Sequence, residues 1–227
     1  MNNVQTFILI APVLLFSVVA HEYAHGYAAL RQGDMTAYQL GRLTWNPVKH
    51  IDPFLTIILP LLLFLANAPI FGGARPVPVN PRNYRNFKRG DIIVSLAGVV
   101  TNLVIAALCV PMVMLVYAIG SISQGIAGPA SIFQLMLMFG IQLNIVLAAF
   151  NLIPLPPLDG SHVMKYLLPP AWGLGYQRLA RYGLILLFLL ISFGRPILML
   201  WFAPAFALMG SLQRLVLPFM LQSQWTM

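Results

Sequence analysis

The residues of this chain best suited to chemistry are His21, Glu22 and His25, in the run His21-Glu22-Tyr23-Ala24-His25. On a helix, positions i and i+4 share a face, so both imidazoles can turn toward a single metal ion. The carboxylate beside them can take a proton from water that such an ion has acidified. By itself the pattern is a modest signal, and its surroundings sharpen it. Glu22 is the only glutamate in 227 residues, and it follows an apolar stretch that begins at Val4. Ionisable side chains inside a membrane cost about 2.5–3.5 kcal/mol each on insertion scales, so as a rule they are paired and functional. Three of them at metal spacing call for a shared partner.

A catalytic zinc centre normally takes three protein ligands and leaves a position for water. Few residues could supply the third. The other acids are Asp34, Asp52, Asp91 and Asp159, and the other histidines are His50 and His162. Asp34, Asp52, Asp91 and His50 lie in or beside polar loops. Asp159 closes the segment Asn151-Leu152-Ile153-Pro154-Leu155-Pro156-Pro157-Leu158-Asp159-Gly160. The prolines remove backbone donors and break the helix. Irregular backbone at membrane depth is tolerated only where protein buries it or water reaches it, as in an active-site cavity. Asp159 is the expected third ligand. His162 is the runner-up, or a group behind the ligands.

The elements that must position these residues follow from composition. The chain is 59% hydrophobic and only 8% charged, against about 25% charged for a soluble domain. That places it in a membrane. Its expected class is an all-α polytopic membrane protein with about 5–6 membrane segments, one of which could be re-entrant, and short extended or β elements in the loops. Helix is expected from Val4 to Leu30, across Ile92–Ile119, and from near Ser131 past Asn151. The alternation around Tyr38–Trp45 could form a short strand. Pro53–Ala68 is apolar but only 16 residues long and interrupted by Pro60. Ala74–Pro81 must be extended, because residues before proline avoid the helical region. A basic loop is expected up to Arg181, and the tail after it is apolar and broken by Gly194-Arg195-Pro196, which fits either one kinked helix or a hairpin. No internal repeat and no long polar stretch occurs, so residues 1–227 read as a single membrane-embedded catalytic domain.

The formal net charge of +8 does not signal nucleic acid. Eleven of the thirteen Lys and Arg residues fall in Arg31–Lys49, Arg75–Arg89 and Lys165–Arg181, beside the spans, where basic residues set orientation. Cys109 is the sole cysteine, which excludes a disulfide framework and a thiolate metal site.

The pairing of HExxH in the first span with Asn-x-x-Pro-x-Pro-x-x-Asp-Gly in a later one resembles the site-2 protease family of intramembrane metalloproteases. Gly33-Asp34, the stretch from Gly41-Arg42-Leu43-Thr44 to Asp52-Pro53, and Ala74-x-Pro76-Val77-Pro78-Val79-Asn80 look like compact members of that family, without PDZ-like or CBS-like modules. The resemblance spans about residues 20–165. It implies one Zn2+ per chain on His21, His25 and Asp159, with Glu22 as catalytic base. It also implies that Asn151 lies by the zinc and helps hold substrate or oxyanion, a role extended to Asn102, whose segment Ala97–Asn102 has Val99 where the family often has proline. The expected activity is hydrolysis of peptide bonds in or near transmembrane helices of membrane-protein substrates, as in regulated intramembrane proteolysis. Arg75, Val77 and Val79 could hold the opened substrate chain by strand addition, or the segment is a plain surface loop, since the prolines at 76 and 78 leave few amide donors for a ladder. A divalent-metal transporter is the rival from another class, and an inactive substrate-binding relative is the third reading.

A shared metal constrains topology. His21 lies about 26 Å along the first helix at about 1.5 Å per residue, and Asp159 also lies late in its segment. Both segments must cross in the same direction, so Ile92–Ile119 is the one crossing between them. Pro53–Ala68 must then dip and return or lie shallow. The basic loops on either side belong in the cytoplasm. This puts the zinc nearer the cytoplasmic face of a multi-pass protein, expected in a prokaryotic cytoplasmic membrane.

Overall fold

The computed structural model describes residues 3–68, 72–122 and 124–221. Helix dominates them. The elements are α1 (Asn3–Gln32), α2 (Thr36–Gln39), α3 (Leu59–Leu65), α4 (Phe87–Gly120), α5 (Gln124–Asn151), α6 (Gly160–Leu167), α7 (Pro170–Arg178), α8 (Gly183–Phe193) and α9 (Arg195–Val216). Among the described residues, five helices are long and apolar enough to cross a membrane: Val4–Gln32, Phe87–Gly120, Gly125–Asn151, Gly175–Phe193 and Arg195–Phe219. Their large apolar side chains face outward, as Phe7, Ile8, Val104, Leu108 and Leu200 do. Lipid, not water, is the solvent such a surface requires. The chain is an all-α polytopic membrane protein.

Two local expectations change. The alternation at Tyr38–Trp45 does not make a strand, and none occurs among the described residues. Thr36–Gln39 forms a helical turn instead, because the Asp34 carboxylate accepts both the amide (3.1 Å) and the hydroxyl (2.5 Å) of Thr36. Gly41, at φ +60°, then ends it. The basic stretch Lys165–Arg181, expected as loop, is mostly helical in α6 and α7. The tail is two helices separated at Gly194.

Pro53–Ala68 begins with a wide helical turn, Pro53–Ile58, capped by Asp52, whose carboxylate accepts from the amides of Phe54 (2.9 Å) and Leu55 (2.8 Å). With α3 it makes an apolar helical run of about 20 Å, short of a hydrocarbon core of about 30 Å. The chain then comes back to where it left. The Gly73 amide donates to the Leu55 carbonyl (3.1 Å), and the Thr56 hydroxyl donates to the Gly73 carbonyl (2.7 Å).

Contacts group the chain into two compact units. The first takes Met1–Ser17, Asn102–Ala148 and Ala203–Met227. Its apolar core is Ala106, Cys109, Val113, Leu137, Ile141, Ile145 and Val216. Buried polar side chains tie its helices together. Asn144 donates to the Ser17 hydroxyl (2.8 Å) and accepts from Asn102 (2.9 Å). The second unit takes Val18–Thr101 and Ala149–Phe202. It has two small apolar cores, one around Ala29, Tyr84 and Val94, the other around Ile153, Leu158 and Leu187. It also carries every residue of the HExxH and Asp-Gly motifs.

Candidate metal centre

Helix α1 carries His21 and His25 one turn apart on a buried face. Asp159 arrives from the far side of the sequence. Helix α5 ends at Asn151, and residues 152–159 form successive tight turns before α6 starts at Gly160. Backbone oxygens freed there find side-chain partners: Tyr176 donates to the Pro154 carbonyl (2.9 Å). Gly160 is obligatory, because a Cβ there would lie 2.1 Å from the Leu152 carbonyl oxygen.

The three side chains converge. His21 Nε2 lies 3.2 Å and His25 Nε2 3.3 Å from Asp159 Oδ2, and the two Nε2 atoms are 3.0 Å apart. Among the described residues this is the one group of three metal-type donors within 4.8 Å of one another. Tetrahedral ligands about 2.0–2.2 Å from zinc stand about 3.3–3.6 Å apart, so the set is close to the required spacing. His25 Nδ1 donates to the Val94 carbonyl (2.7 Å), which leaves Nε2 as a lone pair. That lone pair faces another ring nitrogen and an ionised, buried carboxylate oxygen that finds no hydrogen-bond partner. Such an arrangement repels itself unless a cation is shared. Gly98 of α4 leaves the room: a Cβ there would stand 2.5–2.6 Å from His21 Cε1, His21 Nε2 and His25 Nε2. The donors and the space therefore fit a small divalent ion.

Glu22 stands half-buried beside these ligands, and its Oε2 accepts the Val77 amide at 2.8 Å. Val77 belongs to residues 72–80, which form neither helix nor strand, while Pro81, expected in the extended stretch, opens a short 3-10 turn. The amides of that segment are largely committed. Arg75 donates to the His50 carbonyl (2.7 Å), Val77 to Glu22 and Asn80 to Asp34 Oδ2 (2.6 Å). Val79 packs partly buried against the Ala29–Tyr84–Val94 core.

Asn151 ends α5, eight residues before Asp159. Asn102 lies in the first unit, with its amide on Asn144. His162 does not join the ligands. Its Nδ1 lies 3.3 Å from Asp91 Oδ1, in a cluster where the buried Asp91 also takes the Tyr166 hydroxyl (2.9 Å) and the Lys165 ammonium. Sequence reasoning passed over Gly98, Val94 and Asp91. Glycine and a backbone carbonyl carry no chemical signature. Asp91 had one, an acid beside an apolar span, but was set aside with the loop acids.

With this geometry in hand, comparison with known proteins is decisive. Residues 9–191 match peptidase family M50. The chain belongs to that family. It is 40% identical over 177 residues to YwhC of Bacillus subtilis, named as a candidate zinc metalloprotease, with 78% of this chain and 77% of that one covered. It is 31% identical over 204 residues to Rip2 of Mycolicibacterium smegmatis, named likewise, with 89% and 73% covered. MJ0611 of Methanocaldococcus jannaschii, also so named, is 33% identical over 95 residues, covering 42% and 44%. No solved structure gives a significant match. Membership places the chain among the membrane-embedded zinc metalloproteases of the site-2 type, and zinc is the metal for which the donor set is tested.

Proposed function

We propose that this chain is an active intramembrane zinc endopeptidase that cleaves peptide bonds in or near transmembrane helices of membrane-protein substrates, in the manner of regulated intramembrane proteolysis. One observation carries the reading: His21, His25 and Asp159 bring three metal-type donors together beside the chain's only glutamate. They would hold one zinc ion per chain. When bound, that ion supplies Lewis acidity, polarising a carbonyl and lowering the pKa of water toward about 7.

The chain's own residues do the rest. Val94 fixes the His25 ring in the tautomer that presents Nε2. Glu22, with one oxygen on the Val77 amide, takes the proton of the attacking water on its other oxygen and returns it to the departing amide nitrogen. Asn151 is assigned to the substrate carbonyl. Arg75, Val77 and Val79 are assigned to the opened substrate chain, with the Arg75 and Val77 amides already engaged by His50 and Glu22. A substrate helix hides its scissile amide in i to i−4 bonds, so it must unwind locally first. The return of the chain at Gly73 to Leu55 supports a re-entrant Pro53–Ala68, with the N-terminus outside and the centre nearer the cytoplasmic face of a prokaryotic membrane.

The test is cleavage of a synthetic transmembrane peptide by the purified chain in detergent or liposomes. Activity should vanish with a zinc chelator and return with Zn2+. Asp159→Ala should lose zinc while His162→Ala keeps it. Full metal content in Asp159→Ala with loss in His162→Ala would overturn the ligand assignment.

A further inference from the structure

The catalytic base is held by a backbone amide, and that amide is itself held by an arginine. Val77 N–H donates to Glu22 Oε2 (2.8 Å). The two peptide groups just before it are gripped by Arg42, whose Nη2 donates to the carbonyls of Arg75 (3.2 Å) and Pro76 (3.3 Å). The segment is anchored at both ends, by the Arg75 amide on His50 (2.7 Å) and by the Asn80 amide on Asp34 (2.6 Å). The buried Val77 side chain seats against α1 at Gly26, where a Cβ would come within 2.8 Å of Val77 Cγ1. Prolines on both sides of Val77 leave its N–H as the sole donor from residues 76–78.

We infer that Arg42 is a positioning residue for Glu22: it fixes the Arg75–Pro76 carbonyls so that the Val77 N–H holds one carboxylate oxygen and the other stays aimed for proton transfer. The inference rests on the proposed role of Glu22, and its physical basis is general. An ionised carboxylate takes a charge-assisted bond from a fixed amide, and a flexible glutamate loses side-chain freedom to be held there. Both bonds come from one guanidinium nitrogen, Nη2, and a rigid, planar guanidinium loses less freedom when held there than a lysine ammonium on its flexible stem.

The experiment has two arms on the full-length purified chain. The first is hydrogen exchange of a peptide covering residues 75–80, which needs no activity. The Val77 amide should be protected in the wild type. Arg42→Ala and Glu22→Ala should each speed its exchange about tenfold, as loss of one such bond implies. Rapid exchange in the wild type, or protection unchanged in both variants, would overturn the inference.

The second arm is cleavage of the transmembrane peptide with zinc content measured alongside. Arg42→Ala should lower kcat about 10- to 100-fold, the range expected for a small misplacement of a reacting group. KM and bound zinc should hold, and added guanidinium should restore part of the rate. Arg42→Lys should fall between. Val77→Pro, which deletes the N–H, should lose far more than Val77→Ala, which keeps it. If Glu22→Gln is inactive while Arg42→Ala and Val77→Pro turn over at the wild-type rate, the positioning role fails and the proposed function stands. If Glu22→Gln remains active, the proposed function fails, and the exchange arm still decides whether the amide is held. A kcat increase in Arg42→Ala would also overturn positioning, marking the segment as a latch that blocks the base.

Discussion

Gly98→Ala should separate metal binding from folding. Gly98 lies inside α4, and its added Cβ would sit 2.6 Å from the Nε2 atoms of both His21 and His25. Ordinary contacts begin near 3.4 Å, so both rings would have to retreat by nearly 1 Å. Metal–ligand distances tolerate only about 0.2 Å. His25 has little room to give, because its Nδ1 is bonded to the Val94 carbonyl at 2.7 Å. Moving a group behind the ligands typically costs 10- to 100-fold in metal affinity, and a direct obstruction should cost at least about 100-fold. Helix propensity works the other way, since alanine is favoured over glycine by about 0.8–1.0 kcal/mol. Zinc content after dialysis, measured with the thermal midpoint of metal-free protein in detergent, reads both. Zinc should be lost and the metal-free midpoint kept or raised. Stoichiometric, tightly held zinc in Gly98→Ala would refute the reasoning.

Three further outcomes follow from other parts of the structure. Asp91→Asn leaves Lys165 without its carboxylate and frees α6, whose first residue follows Asp159. Removing one member of a buried ion pair costs about 3–5 kcal/mol, so the melting midpoint should fall and zinc should dissociate faster, with Asp91→Leu plus Lys165→Met recovering part of the stability. Burial would raise the pKa of Asp34, but hydrogen bonds from the Asn80 amide, the Thr36 hydroxyl and Asn83 outweigh it and hold the carboxyl below its ordinary 3.8. Its contribution is therefore complete above pH 3.8 and lost as pH falls through the lower folded value, so hydrogen exchange at Asn80 should accelerate only in that acid range, and Asp34→Asn should remove the dependence. Cysteines placed at Asn46 and Asn83 should both label from the cytoplasmic side, and labelling of the second from outside alone would reject the re-entrant reading of Pro53–Ala68.

Much of the site was legible in sequence because its chemistry is conspicuous against the solvent. In an apolar chain a helix with two histidines and a glutamate stands out, and Asp159 stands out by ending a proline-broken segment. The spans were legible for the same reason, as uninterrupted apolar length. Tyr38–Trp45 was misread because a period of two over so few residues carries less weight than one buried aspartate that fixes the first turn. The Arg42 contacts and the opening at Gly98 were hidden, since both depend on backbone atoms brought together across long sequence separations.

The central claim, that this chain is a zinc peptidase with Glu22 as its base, is tested most directly in Glu22→Gln by measuring bound zinc and peptide cleavage in the same preparation. Glutamine keeps the size of the side chain and can still accept the Val77 amide, but it cannot take up the proton. The account predicts one zinc per chain and loss of nearly all cleavage, at least about 100-fold. Zinc retained with cleavage comparable to wild type would contradict it.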